Sequence, residues 1–148
     1  MFLRFVEFWE THKPKLIETE VHLFSDELKV AGTCDMVCEI DGELWVIDFK
    51  TSNQIQTTYE LQTAVYTQCY KECYGKEVTR NGILWLKSTK RGPKKDKMQG
   101  KGWEMVLPTR TQEENIEIFK TVKRLFDLEN PNEAPVFTEF KTQVKKED

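Results

Sequence analysis

The sequence predicts an α/β (α+β) domain, a mixed β-sheet flanked by helices. Three observations lead there. Stretches of alternating apolar and polar residues, which suit strands, occur early and late in the chain, and 3.6-residue periodicity, which suits helices, separates and flanks them. An Asp41-Gly42 pair stands between two alternating apolar runs, a strong hairpin signal. The predicted element order is therefore α-β-β-β-α-β-β-α, too mixed for an all-helical or all-strand fold.

Each element follows from local chemistry. Residues 2–12 place Phe2, Phe5, Val6, Phe8 and Trp9 near helical spacing, and Pro14 limits that helix. Residues 17–24 alternate in part and read as a strand, followed by a turn at Ser25-Asp26-Glu27. Residues 29–40 and 43–50 read as the two arms of the Asp41-Gly42 hairpin. Residues 58–74 carry Leu61, Ala64, Val65, Tyr66, Cys69 and Cys73 at helical intervals, with Gly75 as the C-terminal cap. Ile83-Leu84-Trp85-Leu86 suits a short buried strand, and residues 103–107 suit its return. Residues 111–128 form an amphipathic helix, with Ile116, Phe119, Val122, Leu125 and Phe126 on one face. Thr111 and Glu114 supply a capping box.

The 148 residues suit one domain over residues 1–130, followed by a polar tail over 131–148. Apolar residues make up 39% and charged residues 32%, as in ordinary soluble domains. No apolar run approaches the ~18 residues that span a bilayer. The N-terminus lacks a signal-peptide layout, so the expectation is a cytoplasmic protein with no membrane partner. Cys34, Cys38, Cys69 and Cys73 are spaced C-x3-C, unlike a zinc ribbon, and are expected as buried free thiols. Cys34 and Cys38 are expected to alternate with Met36 and Ile40 on one strand face, and Cys69 and Cys73 to lie one helical turn apart. A metal-binding structural domain built on these cysteines has the poorest spacing support.

The net charge of −3 hides a basic cluster. Between Lys87 and Lys101 there are seven basic residues, including Lys90, Arg91, Lys94, Lys95 and Lys97, against the single acid Asp96, a local charge of +6. Such a patch suits phosphate binding, although many charge runs are only solvated hairpin tips.

Hairpin register yields a candidate centre. Counting outward from Ile40 opposite Glu43 puts Asp35 opposite Asp48 and Thr33 opposite Lys50. Alternation places Asp35, Asp48 and Lys50 on one face. Opposed side chains lie about 4.5–5.5 Å apart at Cβ, so two carboxylates there repel. A shared proton or a divalent cation would offset that cost. Mg²⁺ suits hard oxygen ligands, and an ammonium beside it could orient an attacking water. A plain ion pair of Lys50 with its neighbours is the simpler alternative. Counting back from a turn at Asp26-Glu27 puts Glu18 opposite Asp35 and Glu20 opposite Thr33, with His22 further along the same face. Register does not choose between the two glutamates.

At these residues the chain resembles the PD-(D/E)XK nuclease superfamily, in particular the branch related to RecB, Cas4 and phage-type exonucleases. The resemblance runs through Glu20-Val21, Gly32-Thr33-Cys34-Asp35, Asp48-Phe49-Lys50-Thr51 and Gln62 to Tyr66. The G-T-x-D, D-x-K-T and Q-x3-Y elements are each weak alone and specific together. The resemblance implies a restriction-endonuclease-like core and a metal-dependent deoxyribonuclease. It further implies an exonuclease of DNA recombination, repair or phage DNA processing. It implies Asp35 and Asp48 as ligands of Mg²⁺ or Mn²⁺, with the Phe49 backbone carbonyl as a further ligand and Lys50 serving the attacking water. Glu20 fits the family's additional acid better than Glu18. Gln62 and Tyr66 would order the site or the DNA.

The chain departs from the pattern in two ways. The helix many relatives carry further upstream, with a metal-site His or Glu, is not recognisable, and His12 does not fit that position. Two readings stay open, a fragment of a longer nuclease or a minimal one with a weakened metal site; a second copy or a partner protein could supply the missing segment. The cluster-binding cysteines of Cas4-like relatives are absent after Cys73, so no iron–sulfur cluster is expected. The alternative function is a catalytically silent DNA-binding module of the same fold.

Overall fold

A computed structural model describes residues 1–87 and 102–131. Lys90, Arg91, Lys94, Lys95 and Lys97 of the basic cluster, and the polar tail from residue 132, lie outside the described residues.

The elements occur in the predicted order: α1 (Phe2–His12), β1 (Lys15–Ser25), β2 (Val30–Ile40), β3 (Glu43–Lys50), α2 (Tyr59–Tyr74), β4 (Arg80–Trp85), β5 (Glu104–Val106) and α3 (Gln112–Glu129). The termini of the helices follow from capping chemistry. Lys13 closes α1 in the left-handed region, at φ 44°. Gly75 does the same for α2 at φ 64°, its N–H donating to the Lys71 carbonyl. At α3 the Thr111 side chain accepts from the Glu114 N–H while the Glu114 carboxylate accepts from the Thr111 N–H, the expected capping box.

The five strands form one sheet in sequential order, antiparallel except for the parallel pair β3–β4. A parallel pair needs a crossover, and α2 supplies it. The sheet therefore has helices on both faces. On one face Val21, Leu23, Val37 and Val46 pack against Val65, Cys69 and Tyr70 of α2, with Ile116 and Phe119 of α3 at the margin. On the other, Met36, Cys38, Ile40, Ile47 and Leu84 pack against Phe8 of α1 and Trp103. The apolar stripe of α3 is only partly covered: Val122, Leu125 and Phe126 are about half exposed, because helical periodicity fixes which face is apolar but not how far the core reaches.

The β2–β3 hairpin has the register counted from its sequence, with five ladder pairs from Ile40–Glu43 to Met36–Ile47. Its two turn residues, Asp41 and Gly42, both have positive φ (52° and 80°), as a two-residue turn matching strand twist requires. The β1–β2 register differs from expectation. Its turn spans residues 26–29 and closes with Lys29 in the left-handed region, which moves the pairing by two residues: His22, not Glu20, faces Thr33, and Glu18 faces Val37.

A second difference lies at the middle of the same pair. Thr19 faces Met36 and Val21 faces Cys34, but the intervening Glu20 and Asp35 form no ladder pair, and Glu20 has φ 51°. Met36 belongs to the α1-side core and Cys34 to the α2-side core. The strands thus change face at Glu20 and Asp35. Cys34 consequently does not share a face with Cys38, Met36 and Ile40, contrary to simple alternation. His22, flanked by the buried Val21 and Leu23, points away from α2, where its Nδ1 lies 3.0 Å from the Thr33 hydroxyl.

Candidate active site

The site forms where the β2–β3 ladder stops. Beyond Met36–Ile47 the two strands no longer pair by backbone, so Asp35 and Asp48 are not a ladder pair as the simple count expects. The Asp35 carboxylate instead accepts from the Phe49 N–H through Oδ2 at 2.7 Å, replacing a missing backbone acceptor. The Phe49 carbonyl faces the same edge. The Leu86 N–H takes the Lys50 carbonyl on the β4 side at 2.8 Å, and one residue earlier along a strand the carbonyl points the other way. The Asp35 carboxylate and the Phe49 carbonyl thereby meet along the edge of β3 that β2 leaves unpaired, with Asp48 close by.

Asp48 is the most buried of these groups, 3% exposed. Burial raises its pKa; Lys50 opposes the shift and the neighbouring Asp35 charge adds to it. Lys50 Nζ lies 2.6 Å from Asp48 Oδ2. That oxygen is closed off from solvent, with the ammonium against it.

Lys50 is held from three directions. Besides Asp48, its ammonium donates to Gln62 Oε1 at 2.9 Å and lies 4.8 Å from the centre of the Tyr59 ring. Because a lysine only donates, it fixes the Gln62 amide with its oxygen inward. Gln62 Nε2 then donates to the Tyr66 hydroxyl at 2.9 Å. Gln62 and Tyr66, one turn apart on α2, form a single chain leading to Lys50 and Asp48. Burial raises the Tyr66 pKa, with Gln62 opposing and the nearby carboxylates reinforcing, so the phenol stays neutral.

Gly32 belongs to this chain by steric necessity. A Cβ there would come within 2.9 Å of Tyr66 Cε1, closer than carbon atoms approach without displacement.

Other expected residues stand apart. Glu20, which the observed register rather than the count brings level with Asp35, is exposed, and among the described residues no three His, Cys, Asp or Glu side chains are close enough together to hold a metal. Glu18 accepts from the Tyr74 hydroxyl at 3.4 Å. The ring of His12 packs on Phe8 and Trp103. The cysteines are free thiols. Burial pushes Cys34 up to about 12 and Cys38 and Cys69 up to about 11, values at which thiolate chemistry is suppressed. Tyr59 and Trp85 escaped the sequence reading. Their nearness to Lys50 depends on the crossover helix and the parallel strand, and no local motif carries it.

A buried carboxylate beside a half-buried one, a lysine fixed between the first and a helix, and a backbone carbonyl at the same strand edge are the parts of a metal-assisted phosphodiester-cleaving centre. The chain matches the PD-(D/E)XK nuclease superfamily over residues 1–144 and belongs to that superfamily. Its mixed five-stranded sheet with flanking helices is the restriction-endonuclease-like fold. A comparison with curated proteins found no match.

Nucleases of this superfamily are generally divalent-metal dependent. The residues here fit such an ion by the chemistry of the donor set: the buried Asp48 carboxylate stands next to a second carboxylate, and the available ligand atoms are all hard oxygens. Among the described residues no helix is long and apolar enough to cross a membrane.

Proposed function

We propose that this protein is a Mg²⁺- or Mn²⁺-dependent deoxyribonuclease that hydrolyses phosphodiester bonds from DNA ends, as an exonuclease of recombination, repair or phage DNA processing. The observation that carries the reading is the buried Asp48 carboxylate, set beside Asp35 and held against Lys50. Two neighbouring carboxylates in a poorly solvated site are costly unless a cation joins them.

Asp35, Asp48 and the Phe49 carbonyl would hold the ion, and the exposed Glu20 is the candidate for a further acid, reaching it through water or substrate. When bound, the ion would polarise a phosphoryl oxygen and acidify a water. Lys50 positions that water and faces the negative charge that develops as the phosphate is attacked. Gln62, oriented by Lys50, holds the ammonium from the α2 side while it pairs with Asp48. Tyr66 steadies Gln62 from behind and keeps its own proton available for a phosphate oxygen. Lys90, Arg91, Lys94, Lys95 and Lys97 supply the density of positive charge that DNA backbones attract.

Linear and circular DNA incubated with Mg²⁺, Mn²⁺ or EDTA test the reading. Linear DNA should be degraded only with metal, and closed circles should survive. Lys50→Ala should lower the rate by about 10²–10³-fold. Metal-independent binding with no cleavage of any substrate would sink the reading in favour of a silent DNA-binding module.

A further inference from the structure

Two aromatic side chains flank Lys50 without serving a core. Lys50 and Trp85 are partners in the parallel β3–β4 register, so their side chains emerge side by side. Leu86 is buried in the α1-side core, which directs Trp85 and Lys87 to the opposite face, where Lys50 lies. The Trp85 indole N–H donates to the Ser52 carbonyl at 2.8 Å and so fixes the ring against the segment that follows β3. Tyr59, the first residue of α2, presents its ring to the Lys50 ammonium at 4.8 Å. Both aromatics are half-buried, and neither packs in either hydrophobic cluster. Lys87 Nζ lies 5.2 Å from the Trp85 ring and 2.8 Å from Glu104, which keeps a cation at the edge of the same surface.

Partly exposed aromatic rings beside a candidate phosphate-cleaving lysine, each with a lysine on one face, suit a partner that brings a flat face of its own. In a duplex the base faces are already covered by their neighbours, and a protein meets only groove edges and backbone. An unpaired base offers its face, and stacking on Tyr or Trp beside a cation-lined path is how single strands are held. We propose that Tyr59 and Trp85 form a stacking wall for unpaired bases next to the phosphate at Lys50, so that the substrate is DNA single-stranded at the point of cleavage, as a free strand or a frayed end. Lys87 then meets the backbone of the stacked nucleotide. The proposal rests on the nuclease reading above and adds the strand state to it.

The test measures binding and cleavage separately, on the full chain. Fluorescence anisotropy with Ca²⁺ compares a labelled oligo(dT) with a hairpin-closed duplex for the unaltered protein and for Trp85→Leu, Tyr59→Leu, Trp85→Phe and Tyr59→Phe. Each Leu variant should weaken oligo(dT) binding about 10-fold and leave duplex binding unchanged, and each Phe variant should regain most of the loss. With Mn²⁺, Trp85→Leu should raise KM for the single strand far more than it lowers kcat. Tyr59 is the first residue of α2 and packs in neither core, so its variants carry the binding prediction even if Trp85→Leu unfolds. Equal losses on both DNAs, or no loss on oligo(dT), would overturn the wall even in an active nuclease. Aromatic-dependent binding of oligo(dT) without any cleavage would instead retain the wall and overturn the nuclease reading.

Discussion

A single missing methyl group links the G-T-x-D segment to Lys50. Gly32 lies on β2, and its lack of a side chain admits the Tyr66 ring, which holds Gln62, which in turn holds Lys50. Gly32→Ala should therefore cost about 1–3 kcal/mol through overpacking, seen as a lower thermal midpoint, and should slow cleavage without touching a reacting group. A double-mutant cycle with Tyr66→Ala checks the cause. If the ring is what the new methyl meets, the penalty for Gly32→Ala nearly vanishes once Tyr66 is truncated, and strict additivity would count against the contact.

Among the elements, the β1–β2 turn shows how an exposed connection is tied to the helical layer. Glu72 of α2 accepts from the Ser25 hydroxyl at 2.6 Å and the Asp26 N–H at 2.9 Å, while Gln68 Nε2 donates to it at 3.0 Å. Ser25 Oγ also accepts from the Leu28 N–H, so the turn and α2 are linked through one hydroxyl. The Ser25 bond, followed by those from Gln68 and Asp26, holds the Glu72 carboxyl below its usual range. The folded state then binds its proton more weakly than the unfolded chain does. The resulting stabilisation is fully present above the ordinary Glu value of about 4.3 and is lost as pH falls through the lowered folded value. Thermal melts should find Glu72→Ala less stable than the unaltered protein at neutral pH, with the gap closing on acidification. A gap that widens in acid would contradict the assignment. Because Glu72 is exposed, the effect should be small and should shrink further in salt.

For the whole molecule, the two cores on opposite faces of one sheet hold the site rigidly at the ends of the parallel strands, where open sheets with helical crossovers place their ligands. The metal reading has a consequence that does not depend on DNA. A cation that binds only the folded chain stabilises it by about 2.7 kcal/mol at a hundredfold excess over Kd. Scanning calorimetry should show Mn²⁺ raising the thermal midpoint of the unaltered protein, EDTA reversing the rise, and Asp48→Ala abolishing it. An unshifted midpoint at millimolar Mn²⁺ would count against the two-carboxylate centre.

The sequence by itself determined the element order, the Gly75 and Thr111 caps and the β2–β3 register, because each depends on neighbours in the chain. Asp41-Gly42 dictates a two-residue turn, and counting from it brings Asp35 and Asp48 to the same end of the hairpin. The β1–β2 turn carries no comparable marker, and its register came out two residues from the count. Only the tertiary structure decided that the ladder stops at Met36–Ile47, that Asp35 caps the Phe49 N–H, that the strands change face at Glu20 and Asp35, and that Tyr59 and Trp85 stand beside Lys50. The physical reason is the same in each case. Period-two alternation and turn preferences act within a few residues, whereas a broken ladder or a side chain delivered by the crossover helix is set by the packing of both faces of the sheet.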